Sequence, residues 1–331
     1  MKKTMISELK EGMIVDSTFL IKGKTFGTGK TGKDYLTLII GDKSGDMDAR
    51  VWDNAKDIDA MIVTNNIVQV RGRINNYKGK LQVSIDEIRW IDRTSVDLAD
   101  YMLMSSRPVD DMLYELKMLI STIDNPHLKS LTDLFFKNEQ MVNQFKISSA
   151  AKSIHHAYAG GLLEHTLNVV RLSDMIMSVY DGVDRSLLLV SAMFHDIGKI
   201  RELGGELTTE YTDEGRLIGH IVIGAEILDE LTAQINNFPR ELALLLKHSI
   251  LSHHGELEYG SPKRPKTLEA IILHYIEDMD SKIAGIKSLI KKESAVESDW
   301  TSYHASYDRY FYKKHHLQML DKDREEKKDN E

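Results

Sequence analysis

Between Met13 and Trp90 apolar residues gather in five short stretches, Met13–Ile21, Asp34–Ile40, Met47–Trp52, Ile67–Arg73 and Leu81–Trp90. These stretches are rich in β-branched and aromatic residues and most are separated by glycine-containing turns, which predicts five strands. Asn54–Met61, between the third and fourth stretches, carries helical spacing instead. From about Asp97 the pattern changes to helical period, and Leu113, Leu116, Leu119 and Ile120 mark an amphipathic helix after the Arg107-Pro108 boundary. Helical patterning then continues to about residue 290. The expected organisation is a barrel over 1–92, a linker over 93–109, connecting helices over 110–149 and a helical domain over 150–318. A charged tail over 319–331 has no apolar periodicity and is expected to be disordered.

The order β-β-β-α-β-β, with Gly27, Gly29, Gly32, Gly41, Gly45 and Gly79 at the expected turns, fits a small OB-like barrel of the kind that binds single strands. An SH3-like barrel is the alternative. The predicted fold class is therefore multidomain, an all-β OB-like barrel followed by an all-α domain, which suits 331 residues better than one core does. Charge separates the two parts. Residues 1–95 hold 16 Lys+Arg and 13 Asp+Glu, net +3, so the rest of the chain carries −11 of the total −8. A mildly basic barrel can meet a phosphate backbone, and an acidic helical part suits a carboxylate-rich metal site. Glu8, Lys10 and Glu11 interrupt the start of the chain, so neither a signal segment nor a spanning helix can be drawn, and a cytoplasmic protein without membrane contact is expected.

The chain has no cysteine, which removes thiolate sites and leaves His, Asp and Glu as metal ligands. These occur in an ordered series: Glu164-His165-Thr166, Phe194-His195-Asp196-Ile197-Gly198-Lys199, Gly219-His220, Ser252-His253-His254-Gly255 and Glu277-Asp278-Met279-Asp280. A helical bundle can project such groups inward from different helices around hard or borderline cations. Adjacent His195 and Asp196 can serve two ions at once, the carboxylate bridging, and two ions roughly 3.5 to 4 Å apart suit in-line attack on phosphorus. Asp196 and Lys199 are the candidate catalytic residues. Lys199 either holds a substrate phosphate or is a solvated lysine at a helix end. His155 and His156 precede His165 in Ser-Ile-His-His-Ala-Tyr and are candidate phosphate contacts. Lys263 and Arg264, in the basic Gly260–Lys266 loop, are a candidate substrate rim.

This series resembles the HD-domain superfamily of phosphohydrolases over about residues 150 to 285. With the Gly160–Thr166 and Ser252–Gly255 runs and the preceding barrel, the chain looks more narrowly similar to the YhaM family of 3′-5′ exoribonucleases. The resemblance implies His165, His195 and Asp196 at one ion and His220, His253 and His254 at a second. It also implies manganese or cobalt as cofactor, and single-stranded RNA as substrate with nucleoside 5′-monophosphates as products. A superfamily Ala-Asp-x-x-Asp motif aligns with Ile276–Asp280, placing Glu277 where Asp is expected and keeping Asp280; either can close the site.

On the barrel, Phe26, Tyr35 and Tyr77 are the candidate stacking residues, with Arg71 and Arg73 for phosphates. Trp52 belongs to the same aromatic mixture but is equally a core residue. Two rival functions stay open: an HD phosphohydrolase of small or cyclic nucleotides regulated by the barrel, and a non-catalytic nucleic-acid adaptor with a structural metal. Single-stranded DNA as a ligand and a homo-oligomeric state also stay open.

Overall fold

The structure is a computed structural model. It describes residues 3–29, 32–77, 79–102, 104–105, 107–151, 156, 158–205, 207–294 and 296–329, with the backbone alone at 321 and 323–329. Two compact units emerge: residues 1–106 with 203–211, and residues 107–202 with 212–331.

In the first unit β1 (Ile14–Thr28), β2 (Asp34–Asp42), β3 (Gly45–Val51), β4 (Ile67–Tyr77) and β5 (Lys80–Trp90) close into a barrel in the order β1-β2-β3-β5-β4. Helix α1 (Ala55–Met61) lies between β3 and β4 in sequence, as the period predicted. Strand β1 is longer than its composition suggests because it serves two neighbours. Ile14–Leu20 pairs with β4 and Leu20–Thr28 with β2, with a register shift between Ile21 and Gly23. Closure comes from parallel pairing of β3 with β5. Gly72, at a second register shift in β4, faces β5 so closely that a Cβ would lie 2.2 Å from the Ser84 carbonyl, so only glycine fits. Phe19, Leu36, Leu38, Ala49, Val70, Ile74 and Val83 fill the interior. Truncating such a side chain, Leu38→Ala for example, costs about 2–5 kcal/mol.

Two features of this unit depart from the expected linker. Residues 93–101 form two short 3-10 turns and end on buried Tyr101, whose hydroxyl bonds that of Thr18. Leu207 is buried in one apolar cluster with Tyr101, Leu20 and Ile67. It belongs to a segment containing β6 (Leu203–Gly204) and β7 (Glu210–Tyr211), where the Thr208 hydroxyl bonds Asn65.

The second unit contains α2 (Val109–Ser121), α3 (Pro126–Lys137), α4 (Glu139–Ile147), α5 (Gly161–Ile176), α6 (Arg185–Phe194) and α7 (Lys199–Glu202). It continues with α8 (Asp213–Leu217), α9 (His220–Thr232), α10 (Arg240–Ser252), α11 (Leu268–Lys292) and α12 (Lys314–Asp329). Asn125, Asn138, Asp184, Thr212 and Thr267 cap helix starts by accepting backbone N–H groups, each worth about 1 kcal/mol. Every residue from Ser186 to Phe194 in α6 is buried, so α6 is the central helix around which others pack. Phe135, Phe145 and Phe194 meet edge to face in that core. The tail differs from expectation. Lys314–Asp329 is helical, because Lys, Arg, Glu, Leu and Met are strong helix formers even without an apolar stripe. No helix among the described residues is long and apolar enough to cross a membrane.

Candidate functional site

Five histidines converge in the helical unit from α5 (His165), the end of α6 (His195), the start of α9 (His220) and the end of α10 (His253, His254). Three of them, His195, His253 and His254, stand where helices stop. Each ring is tied from behind through Nδ1: His195 to the Ala192 carbonyl at 2.8 Å and His253 to the Ile250 carbonyl at 2.7 Å. His254 is tied to the Tyr259 carbonyl at 3.0 Å, His220 to Glu202 at 3.1 Å and His165 to Asp280 at 2.8 Å. A ring that donates from Nδ1 presents the Nε2 lone pair, the form that binds a cation.

Four of the Nε2 atoms, those of His165, His195, His220 and His253, converge on Asp196, which is almost fully buried. Its Oδ2 lies 3.6 Å from His165 Nε2 and 3.4 Å from His195 Nε2. Its Oδ1 lies 3.5 Å from both His220 Nε2 and His253 Nε2. One carboxylate thus faces two imidazole pairs, one with each oxygen. Among the described residues, donor atoms lie within 4.8 Å of one another inside each of three groups: His165, His195 and Asp196; His220, His253 and His254; and His156, His165 and Asp280. Asp196 Oδ1, His220 Nε2 and His253 Nε2 are buried without a hydrogen-bond partner. All three are acceptors, and a single water donates only two hydrogens, so the chemistry of this cavity fits cations.

Electrostatics agree. Burial drives His253 down to about 3 and also lowers His165 and His254, keeping these rings neutral near pH 7. Burial alone pushes the Asp196 carboxyl up, yet the Lys199 ammonium and His195 hold it well below the usual carboxylate range. The same carboxylate raises His195 against burial. Lys199 is itself buried, with Nζ 2.6 Å from Asp196 Oδ2, so the solvated-lysine alternative is corrected. The neighbouring Gly198 lets the start of α9 pack closely against this segment, since a Cβ there would lie 2.0 Å from the His220 carbonyl.

The two carboxylates of α11 are placed differently. Asp280 receives His165 Nδ1 and His156 Nε2 on one oxygen and Asn168 on the other. Burial opposes its ionisation, but the His156 and His165 hydrogen bonds hold it low. Glu277 is outside the three groups and accepts from the Ser281 hydroxyl at 2.8 Å. Burial raises its carboxyl, and His253 and His165 more than offset that. His156 is buried against Asp280 and Tyr158, not exposed as a phosphate contact requires, and His155 lies outside the described residues. Lys263 and Arg264 are exposed. Lys263 lines a shallow hollow of about 290 Å³ with Lys247, Lys266 and His248, while Arg264 pairs with Glu256 at 2.8 Å. Glu202, Asn168 and Tyr158 were missed by sequence reasoning, because no spacing rule marks residues that touch a ligand from behind.

On the barrel, Tyr35 and Trp52 stack obliquely with ring centroids 5.7 Å apart, and the Arg50 guanidinium lies 5.5 Å from the Tyr35 centroid. Trp52 is 47% exposed, so it is not core. Its side follows from alternation with buried Val51. Phe26 and Tyr77 are also exposed. A Cβ at Gly27 would lie 2.9 Å from the Tyr35 ring, so glycine lets that ring lie across β1. Arg71 and Arg73 are on β4, separated from β2 by β1. Arg71 lines a depression with Asp16, Gln69, Glu87 and Arg89, among carboxylates that oppose phosphate approach.

Comparison with known proteins places both parts. Residues 162–281 match the HD domain family, and residues 6–91 match the family of OB-fold nucleic acid binding domains. Among solved structures, the second OB-fold domain of replication protein A from Methanococcus maripaludis is 21% identical, covers 28% of this chain and 97% of its own, and gives a TM-score of 0.24. The mitochondrial single-stranded DNA binding protein Rim1 of S. cerevisiae is 16% identical, with 25% and 98% coverage and a TM-score of 0.21. The chain therefore carries an OB-fold nucleic-acid-binding domain at its N-terminal end, followed by an HD domain, the mark of a metal-dependent phosphohydrolase.

Proposed function

We propose that this protein is a divalent-metal-dependent exoribonuclease that shortens single-stranded RNA from its 3′ end and releases nucleoside 5′-monophosphates. The observation that carries the reading is Asp196, whose oxygens face His165 and His195 on one side and His220 and His253 on the other. Leaving three buried acceptors unpaired costs about 1–3 kcal/mol each, a cost that cations at this position remove. In this reading His165, His195 and Asp196 hold one ion, and Asp196, His220, His253 and His254 hold the second. Glu277 closes the site, because Asp280 is already engaged behind His165 by three donors. Nitrogen and oxygen donors without sulfur suit manganese or cobalt. Ions bound there supply an activated water and neutralise charge at phosphorus. Lys199 balances the Asp196 charge, and Glu202 orients His220 by accepting from both its ring and its backbone N–H.

The polymer substrate is supported by the barrel on the same chain, where exposed Trp52 and half-buried Tyr35 lie beside the Arg50 cation, the kind of surface on which successive bases stack. RNA, and the 3′ end as starting point, follow from the family resemblance. The test is incubation of the full chain with 5′-labelled or 3′-labelled single-stranded RNA, with manganese or with chelator. The expected result is a descending ladder from the 5′ label, immediate mononucleotide from the 3′ label, and neither with chelator. Hydrolysis of small or cyclic nucleotides with RNA left intact sinks the polymer reading. RNA binding with no hydrolysis under any metal leaves the adaptor.

A further inference from the structure

His156 adopts φ +47°, a left-handed conformation that a non-glycine residue holds only when its surroundings fix it. They do so here. Its carbonyl accepts from the backbone N–H of both Ala150 and Tyr158. The same carbonyl lies so close to the start of α5 that a Cβ at Gly161 would be 1.9 Å from its oxygen. This backbone turns the imidazole inward, where its side chain is 5% exposed. Its Nε2 meets Asp280 Oδ2 at 3.1 Å, the oxygen that also accepts from His165 Nδ1, and its Nδ1 meets the Tyr158 hydroxyl at 2.8 Å. The Tyr158 hydroxyl reaches Glu164 at 3.0 Å. Burial and then the Glu164 carboxylate raise the phenol, so it keeps its hydrogen and stays a donor. A continuous hydrogen-bonded chain thus runs from half-buried Glu164 and Tyr158 through buried His156 and Asp280 to His165.

We propose that Tyr158 is a positioning residue of the metal centre: it clamps His156 so that Asp280 is held from two sides and His165 keeps its Nε2 aimed at His195 and Asp196. The proposal rests on the metal-centre reading given above. Without the hydroxyl, His156 Nδ1 faces an apolar ring and its imidazole loses the contact that sets its rotation. Asp280 then has one fewer fixed donor, and His165 one less firmly held partner. Groups that hydrogen-bond a metal ligand from behind commonly change metal affinity 10- to 100-fold. The strain at His156 is explained by the same arrangement, since a right-handed backbone there would direct the ring elsewhere.

The test uses the full chain as Tyr158→Phe and Glu164→Leu, stripped of metal and titrated with Co2+ while visible absorption is followed, with a chelating dye in competition. Wild type is expected to give a saturable cobalt band. Both variants are expected to bind at least one ion about 10-fold more weakly with an altered band, whereas Tyr114→Phe, on an exposed ring of α2, keeps the wild-type curve. Wild-type affinity and band in both variants overturn the proposal, including the case in which they only lower the melting temperature of metal-free protein. If Tyr158→Phe does not fold, the Glu164→Leu titration alone decides between these outcomes. Failure of wild type to take up Co2+ overturns the metal-centre reading and this proposal with it, whereas uptake with unaffected variants overturns only this one.

Discussion

Arg50 and Lys199 are both cations beside a functional group, yet they stand in opposite surroundings. Arg50 lies over the Tyr35 ring on the outside of the barrel, where water screens it and neighbouring residues can share its work. Lys199 is buried 2.6 Å from Asp196, where little water screens it. The barrel face is therefore built from separable contributions, each modest, as single-strand binding along several nucleotides allows. The proposed metal centre is a network in which Lys199, Asp196, five imidazoles and Glu202 depend on one another, and removing one leaves others buried without partners.

The sharpest way to break this contrast is Asp196→Ala. It should reduce RNA hydrolysis by ~10³-fold or more, the order that loss of a group at a reacting centre costs. It should also destabilise the helical unit by about 3–5 kcal/mol, because Lys199 is left as an uncompensated buried charge. Hydrogen exchange, which reads each unit separately, should show barrel protection unchanged; near-normal metal-dependent activity would remove Asp196 from the site. Replacing Lys199 by Met in the same chain should recover part of the lost stability and none of the activity.

Acid provides the next largest effect. His253 titrates at about 3 in the folded protein, against about 6.5 in an unfolded chain. Between those values the unfolded chain binds the extra proton. Stability of metal-free protein is thus full above pH 6.5 and falls as pH drops toward 3, by about 1.4 kcal/mol per unit for each such ring. Urea melts at stepped pH check this, and a stability that rises on acidification through that window contradicts a buried neutral imidazole.

Smaller effects belong to the barrel. Trp52→Ala should weaken binding of long single-stranded RNA by about 1–3 kcal/mol and leave hydrolysis of a dinucleotide unchanged. Equal losses on both substrates, measured as kcat/KM, would refute the separation of roles. Least of all, Arg71→Ala should change RNA affinity by under about 0.5 kcal/mol, since Asp16 and Glu87 already surround it. An effect matching that of Arg50→Ala would return Arg71 to the binding face.

Residue composition and turn glycines located all five strands, with β1 alone running well past its expected end because it serves two neighbours. The order of His165, His195-Asp196, His220 and His253-His254 was legible for a related reason. These residues carry chemistry on their own side chains, and no packing need explains so many histidines in one helical half. Composition, with no cysteine, also fixed the kind of donor. What sequence could not decide was everything set by distance between remote segments. Lys199 is buried against Asp196 where the start of α9 closes on Gly198, and Asp280 is turned toward His165 Nδ1 by partners 112 to 124 residues away. Glu202, Asn168 and Tyr158 share this character. A residue that acts by supporting another side chain has no spacing of its own to read, and only the folded chain brings it within hydrogen-bond reach.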